Sequence, residues 1–354
     1  MIIMEKDATE RQINNVVKEI KKYGLRAEVS RGAFRTVIGL VGDETKADFE
    51  HFGTLPGVKE TRMIETPYKL ISREYNKAFG KERAVIKVGD VAFGGDEPVF
   101  IAGPCAIESK AQLFKIAEGV KKAGAHVLRG GVFKPRTSAH SWQGLGGEGG
   151  DLAVEALTWL REAGNKFGMP VITEVRGESQ VDLIADYVDI IQIGARNMYN
   201  QDLLVKAARK GKPIVYKRHF GASAEEFLSF AEYIAAEGNK DIILCERGLV
   251  PVGKGKSYTR YILDLGSIPA IQKETFLPIM VDPSHAAGRR DLIFNMSCAA
   301  IAAGACGLMI ETHYNPSEAL VDGPQMITPD ELKETIVACR RIHKAIHPRE
   351  KIRA

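Results

Sequence analysis

Four residues with metal-binding side chains lie between positions 105 and 322: Cys105, His285, Glu311 and Asp322. A thiolate, an imidazole and two carboxylates suit Mn²⁺, Fe²⁺, Co²⁺ or Zn²⁺ better than the harder ions Mg²⁺ and Ca²⁺. Each residue alone has a simpler interpretation, because a single cysteine usually packs as a small apolar side chain. The metal-site hypothesis therefore depends on whether the fold brings the four together.

A second set of residues is strongly cationic. It comprises Arg129, Lys134, Arg136, Arg196, Lys217, Arg218 and Arg247. Guanidinium and ammonium groups are the usual partners of phosphates and carboxylates. Seven cations in one pocket would repel one another, which predicts that the substrates carry several phosphate or carboxylate groups. The alternative is pairing with Glu174, Glu246 or Asp282, which we expect for one or two of the cations.

The elements that must position these residues alternate regularly from residue 98 to the C-terminus. Eight short apolar runs, beginning with VFIAG and ending with GLMIETH, are each followed by a helical pattern. Strands that alternate with helices indicate a parallel sheet, and eight such units predict a (β/α)8 TIM barrel. A doubly wound sheet is the alternative. Residues of both chemical sets follow the strands at their C-terminal ends, which only a barrel gathers at one mouth, so we predict the barrel.

The first 66 residues have a different pattern. They read as strand, helix, strand, strand, helix and strand, with alternating polar and apolar residues in the strands. This order predicts a small α+β ferredoxin-like domain over residues 1–66. We predict a linker over 67–97, with a β-hairpin around AVIKVGDVAF, and the catalytic barrel over 98–354.

Composition excludes several classes of protein. The net charge of +4 over 354 residues is too small to indicate nucleic-acid binding. No apolar run approaches the ~18 residues that span a bilayer, and the N-terminus, MIIMEKDATERQ, lacks the apolar core of a signal peptide. The five cysteines are widely spaced without a CxxC pair, which is typical of a reducing compartment. We expect a soluble cytoplasmic protein with neither membrane nor nucleic-acid partners.

One glycine-rich run imitates a nucleotide-binding motif. The segment 144-GLGGEG-149 fits G-x-G-x-x-G, but the polar stretch KPRTSAHSWQ precedes it where the dinucleotide motif requires a strand. We therefore interpret these glycines as part of a lid or substrate loop.

The motifs after the predicted strands resemble those of the 3-deoxy-arabino-heptulosonate 7-phosphate (DAHP) synthases. The matching segments are GPCAIES, LRGGVFKPRTS, IGARN, LCERG, VDPSHAAGRRDL, LMIETH and VDGPQ. The resemblance covers nearly the whole chain and is greatest to the subclass with an N-terminal ferredoxin-like (ACT-like) domain. It implies a transferase that joins phosphoenolpyruvate to erythrose 4-phosphate and water with release of phosphate, the first step of the shikimate pathway.

The resemblance also implies roles for individual residues. Cys105, His285, Glu311 and Asp322 take the positions of the metal ligands. The positions that grip phosphoenolpyruvate are Arg129, Lys134, Arg196, Lys217 and Arg247, and those that hold the aldose phosphate are Lys134, Pro135, Arg136 and Thr137. Lys134 is the candidate proton donor to the new alkoxide and Glu174 the candidate for ordering the water, and Cys105 and His285 are counted as catalytic through the metal. Further substrate-binding candidates are Arg218, Glu246 and Asp282.

The resemblance also implies how the enzyme is regulated and which aldose phosphate it accepts, and each implication has an alternative. In the family the front domains pair across subunits and bind an aromatic amino acid, which implies a homotetramer with Tyr or Phe as effector; a purely structural role is the alternative. The sister 3-deoxy-manno-octulosonate 8-phosphate synthases share the barrel but lack the front domain and the KPRTS loop. His219, where glycine is usual, and the unusual segment 249–260 keep a different aldose acceptor open.

Overall fold

The structure is a computed structural model that describes residues 1–32, 35–43, 46–62, 66–78, 84–134, 140–253 and 257–347. Its contacts divide into two compact units. The first contains the described residues up to 78 together with Glu274–Phe276, and the second contains the remaining described residues from 84 onward.

The first unit is an antiparallel sheet with helices. Its strands are β1 (Ile2–Met4), β2 (Arg26–Arg31), β3 (Thr36–Val41) and β4 (Val58–Thr61), and its helices are α1 (Glu10–Lys22), α2 (Phe49–Gly53) and α3 (Arg73–Ala78). The strand order β2-β3-β1-β4 confirms the predicted ferredoxin-like fold. Helix α1 begins with a capping box between Thr9 and Gln12 and buries Ile13, Val16 and Ile20, because these apolar residues recur at helical spacing.

The second helix of this unit is shorter than the sequence pattern predicts. The segment ETKADFEHFG predicts a helix from residue 44, whereas α2 begins at Phe49, after Asp48. The Asp48 carboxylate accepts a hydrogen bond from the His51 amide at 2.9 Å, so a stronger helix-starting residue lies inside the predicted segment. Residues 44 and 45 lie outside the described residues.

The second unit is a closed barrel. Its strands are β7 (Val99–Gly103), β8 (Val127–Arg129), β9 (Val171–Val175), β10 (Ile190–Ile193), β11 (Ile214–Lys217), β12 (Ile242–Glu246), β13 (Ile279–Val281) and β14 (Gly307–Glu311). Every strand pairs in parallel with its sequence neighbours, and β14 pairs with β7 to close the ring. The TIM-barrel prediction is confirmed, and the doubly wound alternative is wrong.

The helices of this unit surround the barrel in chain order. They are α4 (Lys110–Ala123), α5 (Leu145–Glu148), α6 (Gly150–Phe167), α7 (Val181–Tyr187), α8 (Gln201–Ala208), α9 (Ala224–Ala236), α10 (Ser267–Glu274), α11 (Pro283–Ala287), α12 (Ile293–Ala302) and α13 (Pro329–Ile346). None of the helices in the described residues has the length and apolar character that a bilayer-spanning segment needs.

A β-hairpin precedes the first barrel strand. It consists of β5 (Ile86–Val88) and β6 (Val91–Phe93), which pair antiparallel. Ile86, Val88 and Phe93 pack in one apolar cluster with side chains from all the barrel strands. The barrel interior is therefore a packed core beneath the mouth.

Helix α10 differs from the sequence prediction at its start. The pattern TRYILDLGSIPAIQKE predicts a helix from residue 259, whereas α10 begins at Ser267. The amide of Ser267 donates to the carboxylate of Asp264 at 3.2 Å, which caps the helix at this point. Residues 260 to 262 instead form backbone hydrogen bonds with Leu249, Ala286 and Ala287, so the loop is tied to the mouth.

One half-buried histidine, His126, makes the stability of the barrel sensitive to pH. His126 follows α4, and its Nδ1 accepts a hydrogen bond from the Phe100 amide at 2.9 Å. Burial, together with the charges of Arg340 and Lys121, lowers the pKa of His126 from 6.5 to about 4. The unfolded chain therefore binds this proton more tightly than the folded chain, and stability is lost as the pH falls from about 6.5 toward 4.

We expect His126→Asn to reduce the acid sensitivity of the barrel. Asn can still accept from the Phe100 amide but does not titrate, so between pH 7.5 and pH 5 the variant should lose about 1 kcal/mol less unfolding free energy than the wild type. Thermal melts at both pH values measure this, with His347→Asn, an exposed histidine, as the control. An unchanged pH dependence in His126→Asn would contradict the assignment.

Candidate active site

The end of strand β7 places Cys105 in the barrel mouth. Gly103 has φ 149°, and a Cβ there would lie 2.1 Å from the carbonyl oxygen of Arg129. Only glycine allows this approach of β7 to the end of β8. Cys105 follows two residues later and is almost fully buried, at 1% exposure.

The four predicted metal-binding residues lie together. Each of Cys105, His285, Glu311 and Asp322 offers one ligand atom, and these atoms all lie within 4.8 Å of one another. They come from the ends of β7, β13 and β14 and from the loop after β14, which the closed barrel brings to one place. The group could hold a metal ion, and its sulfur, nitrogen and oxygen donors fit a divalent transition metal.

His285 is oriented by a neighbouring carboxylate. Its Nδ1 lies 2.7 Å from Asp282 Oδ2, and its backbone amide donates to Asp282 Oδ1 at 2.9 Å. Burial lowers the pKa of His285 despite the opposing charges of Asp282 and Glu311. Because an ionised carboxylate can only accept, Nδ1 carries the proton and Nε2 keeps its lone pair, 3.5 Å from Glu311 Oε1. A metal ligand needs that lone pair.

Glu311 is fully buried and has a partner on each oxygen. Oε1 accepts from Arg129 Nη1 at 2.8 Å, and Oε2 accepts from Gln325 Nε2 at 2.5 Å. Burial opposes ionisation of this carboxyl, but the positive charges of Arg129 and Lys134 outweigh it and lower the pKa of Glu311. The site therefore presents an ionised carboxylate.

Asp322 is held in an unusual backbone conformation. Among the residues that the structure describes, it is the one non-glycine residue with positive φ, at 56°. Aspartate tolerates this left-handed region better than most residues, and strain of this kind clusters at functional sites. Its pKa is lowered: burial and Glu311 oppose ionisation, but the positive charge of Lys134 favours it.

Lys134 lies among the candidate metal-binding groups. Its Nζ is 2.5 Å from Cys105 Sγ and 2.9 Å from Asp322 Oδ2. Burial and the charge of Glu311 raise the pKa of Cys105 well above that of a free thiol. The converging donors thus already attract a cation, which in this structure is the lysine ammonium.

Two of the predicted substrate-binding cations pair with buried carboxylates. Lys217 Nζ contacts Asp282 Oδ2, and Arg218 Nη1 donates to Glu246 at 2.8 Å and to Asp264 at 3.1 Å. These two pairs match the expected pairing with Asp282 and Glu246, but Arg129 and Lys134 also pair with Glu311 and Asp322, so at least four of the seven cations have carboxylate partners. The substrate-binding roles of Arg218 and Glu246 stay predictions, and their hydrogen bonds in this structure hold β11 to β12.

Arg247 is buried between aromatic rings. Its guanidinium carbon lies 4.0 Å from the ring centre of Tyr261 and 5.9 Å from that of Phe220. Nη1 is buried without a hydrogen-bond partner among the described residues, and burial lowers the pKa of Arg247. A buried guanidinium with an unused donor is suited to an anionic ligand. Arg196 is exposed in the turn after β10, and its charge and that of Arg247 act on His219.

Glu174 faces a small pocket at the mouth. Its Oε2 accepts a hydrogen bond from Gln192 Nε2 at 2.9 Å. The pocket is lined by residues of both chemical sets, among them Cys105, Arg129, Lys134, Glu174 and His285. The predicted acid–base residues Lys134 and Glu174 therefore line one pocket with two of the predicted metal-binding residues, Cys105 and His285.

The remaining predicted residues lie outside the described part of the chain. They are Pro135, Arg136 and Thr137, so their aldose phosphate roles stay predictions. Two residues that the sequence analysis did not single out, Gln192 and Gln325, hold candidate site carboxylates. The sequence signals for Gln325 are its place at the end of the VDGPQ segment and its spacing of three from Asp322, which places both in one 3₁₀ turn.

Comparisons with known proteins match both parts of the chain to DAHP synthase families. The model of the DAHP synthetase I family matches residues 72–347, and that of the DAHP synthase ferredoxin-like domain matches residues 1–66. Phospho-2-dehydro-3-deoxyheptonate aldolase of Thermotoga maritima is 44% identical over 346 residues, 98% of each chain. A crystal structure of this T. maritima aldolase, also called DAHP synthase, has a TM-score of 0.75 at 43% identity, covering 98% of this chain and 97% of that chain. A 2-dehydro-3-deoxyphosphooctonate aldolase of Nitrobacter hamburgensis is 32% identical over 276 residues, 73% of this chain and 91% of the relative.

We expect Cys105→Ser to weaken metal binding by at least about tenfold, because a hydroxyl is a poorer ligand for soft divalent metals than a thiolate. Titration of the metal-free protein with Co²⁺ should also lose the sulfur-to-cobalt absorption band. Cys298→Ser, a thiol on helix α12, is the matched control and should bind Co²⁺ as the wild type does. A Cys105→Ser protein with wild-type affinity and spectrum would remove Cys105 from the ligand set.

Proposed function

Because the chain belongs to the DAHP synthetase I family, we propose that it condenses phosphoenolpyruvate with erythrose 4-phosphate and water to give DAHP and inorganic phosphate. The observation that carries the proposal is the convergence of a mixed-donor metal group and a cationic set at the mouth of this family's barrel. Since one barrel fold supports many activities, these residues support the reaction more directly than the fold does.

We propose a divalent cofactor, Mn²⁺, Fe²⁺, Co²⁺ or Zn²⁺, bound by Cys105, His285, Glu311 and Asp322. When bound, such an ion would supply Lewis acidity toward the aldehyde oxygen of the acceptor. Asp282 supports this role because it fixes the tautomer of His285, and Arg129 and Gln325 support it because they hold the Glu311 carboxylate.

The cationic side of the mouth binds phosphoenolpyruvate in this proposal. Arg247 has a buried donor available for the substrate phosphate, and Arg196 stands close enough to act on the same region electrostatically. Arg129, Lys134 and Lys217 complete the grip on phosphate and carboxylate. Fixed cations orient phosphoenolpyruvate and stabilise the negative charges of its phosphate and carboxylate groups.

Two side chains transfer protons during the condensation. C3 of phosphoenolpyruvate forms the new bond to the aldehyde carbon, water adds at C2, and the C2–O bond to phosphate breaks. The Lys134 ammonium donates a proton to the new alkoxide oxygen. The Glu174 carboxylate, held by Gln192, orients the water and accepts its proton.

A synthase for a different aldose phosphate is the second candidate. The likeness to the octulosonate-type aldolase supports it, as do the unusual residues at His219 and in the segment 249–260. The front domain and the longer, closer match to the T. maritima aldolase favour erythrose 4-phosphate.

We expect phosphate release from phosphoenolpyruvate to be at least about tenfold faster with erythrose 4-phosphate than with arabinose 5-phosphate, because the acceptor pocket discriminates by chain length. A chelator should abolish the activity and Mn²⁺ or Co²⁺ should restore it. Lys134→Met is the control for contaminating enzymes and should be inactive. Preference for arabinose 5-phosphate would favour the second candidate, and activity that survives full metal removal would overturn the metal site.

The front domain is proposed to regulate the barrel. It has its own apolar core and matches a dedicated family model, and we propose that it binds Tyr or Phe within a homotetramer. The five free cysteines support a reducing, cytoplasmic location.

Added Tyr or Phe is expected to lower the rate at subsaturating substrate by about fivefold or more, the lower end of ordinary allosteric coupling. The measurement uses the whole chain, with L-alanine as the control amino acid and light scattering for the assembly state. Equal rates with Tyr, Phe and alanine would favour the purely structural role.

A further inference from the structure

We propose that Gln325 and Arg260 form a hydrogen-bond relay that positions the Glu311 carboxylate for metal binding. Arg260 is the last residue of the segment 249–260, which is unusual for the family, so the relay links this residue to the metal group. The inference rests on the proposed metal site, and it assigns positioning roles to two residues outside the ligand set.

The inner half of the relay is buried. Gln325 is 3% exposed and Glu311 is fully buried, and Gln325 Nε2 donates to Glu311 Oε2 at 2.5 Å. Gln325 also shares a 3₁₀ turn with Asp322. The backbone N–H of Gln325 donates to the backbone carbonyl of Asp322 at 3.1 Å. One residue is therefore bonded to one candidate ligand and shares a turn with another.

The outer half of the relay sets the orientation of the Gln325 amide. Arg260 Nη1 donates to Gln325 Oε1 at 3.3 Å. A guanidinium can only donate, and an ionised carboxylate can only accept. With Arg260 on one side and Glu311 on the other, only one of the two amide orientations satisfies both partners. Arg260 thereby directs the NH₂ group toward Glu311.

The backbone of the same loop is anchored beside His285. The Arg260 amide donates to Ala287 at 3.0 Å, and the Tyr261 amide donates to Ala286 at 2.8 Å. The Tyr261 ring lies against Arg247 on the other side of the mouth. The two adjacent residues differ in their main contacts: Arg260 hydrogen-bonds to Gln325, whereas the Tyr261 ring packs closely on Arg247 and lies farther, 5.5 Å, from the Arg260 guanidinium carbon.

Hydrogen bonds to a metal ligand tune affinity because they fix its orientation and its charge. We expect Gln325→Met, which keeps length and removes the donor, to weaken Co²⁺ binding by about 10- to 100-fold. Arg260→Met should weaken it less, by at most about fivefold, because the arginine is exposed and its hydrogen bond is longer. Arg260→Lys, which can still donate to Oε1, should recover part of the loss.

The test is a Co²⁺ titration by calorimetry and absorption on metal-free protein without substrate, with thermal melts to check folding. If Arg260 acts through Gln325, adding Arg260→Met to Gln325→Met causes no further loss. Tyr261→Leu, in the same loop, is the matched control: it should raise the KM for phosphoenolpyruvate and leave Co²⁺ affinity unchanged.

Unchanged Co²⁺ affinity in Gln325→Met would overturn the proposal. Additive losses in the double variant, no loss in Arg260→Met, or an equal loss in Tyr261→Leu would overturn the part assigned to Arg260. The titration needs no turnover, so a protein that binds Co²⁺ but forms no DAHP would refute the proposed function and leave the relay standing. A wild type that binds no Co²⁺ would refute the metal site and the relay together.

Discussion

Three fully buried carboxylates at the C-terminal ends of the barrel strands impose the main constraint on this structure. They are Glu246, Asp282 and Glu311. A buried carboxylate without a partner is expensive by several kcal/mol, so each requires a cation within hydrogen-bond reach. The partners are Arg218, Lys217 and Arg129, respectively. Because each pair joins residues from different strands, charge neutralisation and the geometry of the mouth are set by the same contacts.

This pairing divides the mouth into two chemically different sides. On one side Cys105, Glu311 and Asp322 gather around a cation, the Lys134 ammonium. On the other side Arg247 keeps a buried donor without a partner among the described residues, and aromatic rings replace an anion as its neighbours. One side is thus suited to a positive ion and the other to a negative group, which a reaction between a phosphorylated enol and a polarised aldehyde requires.

Much of this arrangement is predictable from the sequence, because strand ends of a closed barrel must meet. The eight-fold alternation predicts the barrel, and residue type alone separates the metal group from the cations. What the sequence does not determine is which cation pairs with which carboxylate. Arg218 and Lys217 are adjacent in the chain, yet one turns to Glu246 and the other to Asp282. The start of α10 and the role of Gln325 are equally hidden, since each depends on a side-chain hydrogen bond and not on periodicity.

Asp282 connects the two sides of the mouth. Its Oδ2 contacts Lys217 Nζ and also His285 Nδ1, and Oδ1 accepts from the His285 amide. Burial opposes its ionisation, but the hydrogen bonds from His285 and the charge of Lys217 hold the pKa of Asp282 well below its usual range. A single carboxylate therefore orients a residue of the metal group and neutralises a cation of the substrate-binding set. Any change in charge at Lys217 must alter the basicity of Asp282 and, through it, the hydrogen bond that holds His285. In the sequence the metal group and the cations look independent, whereas in the structure they share this one residue.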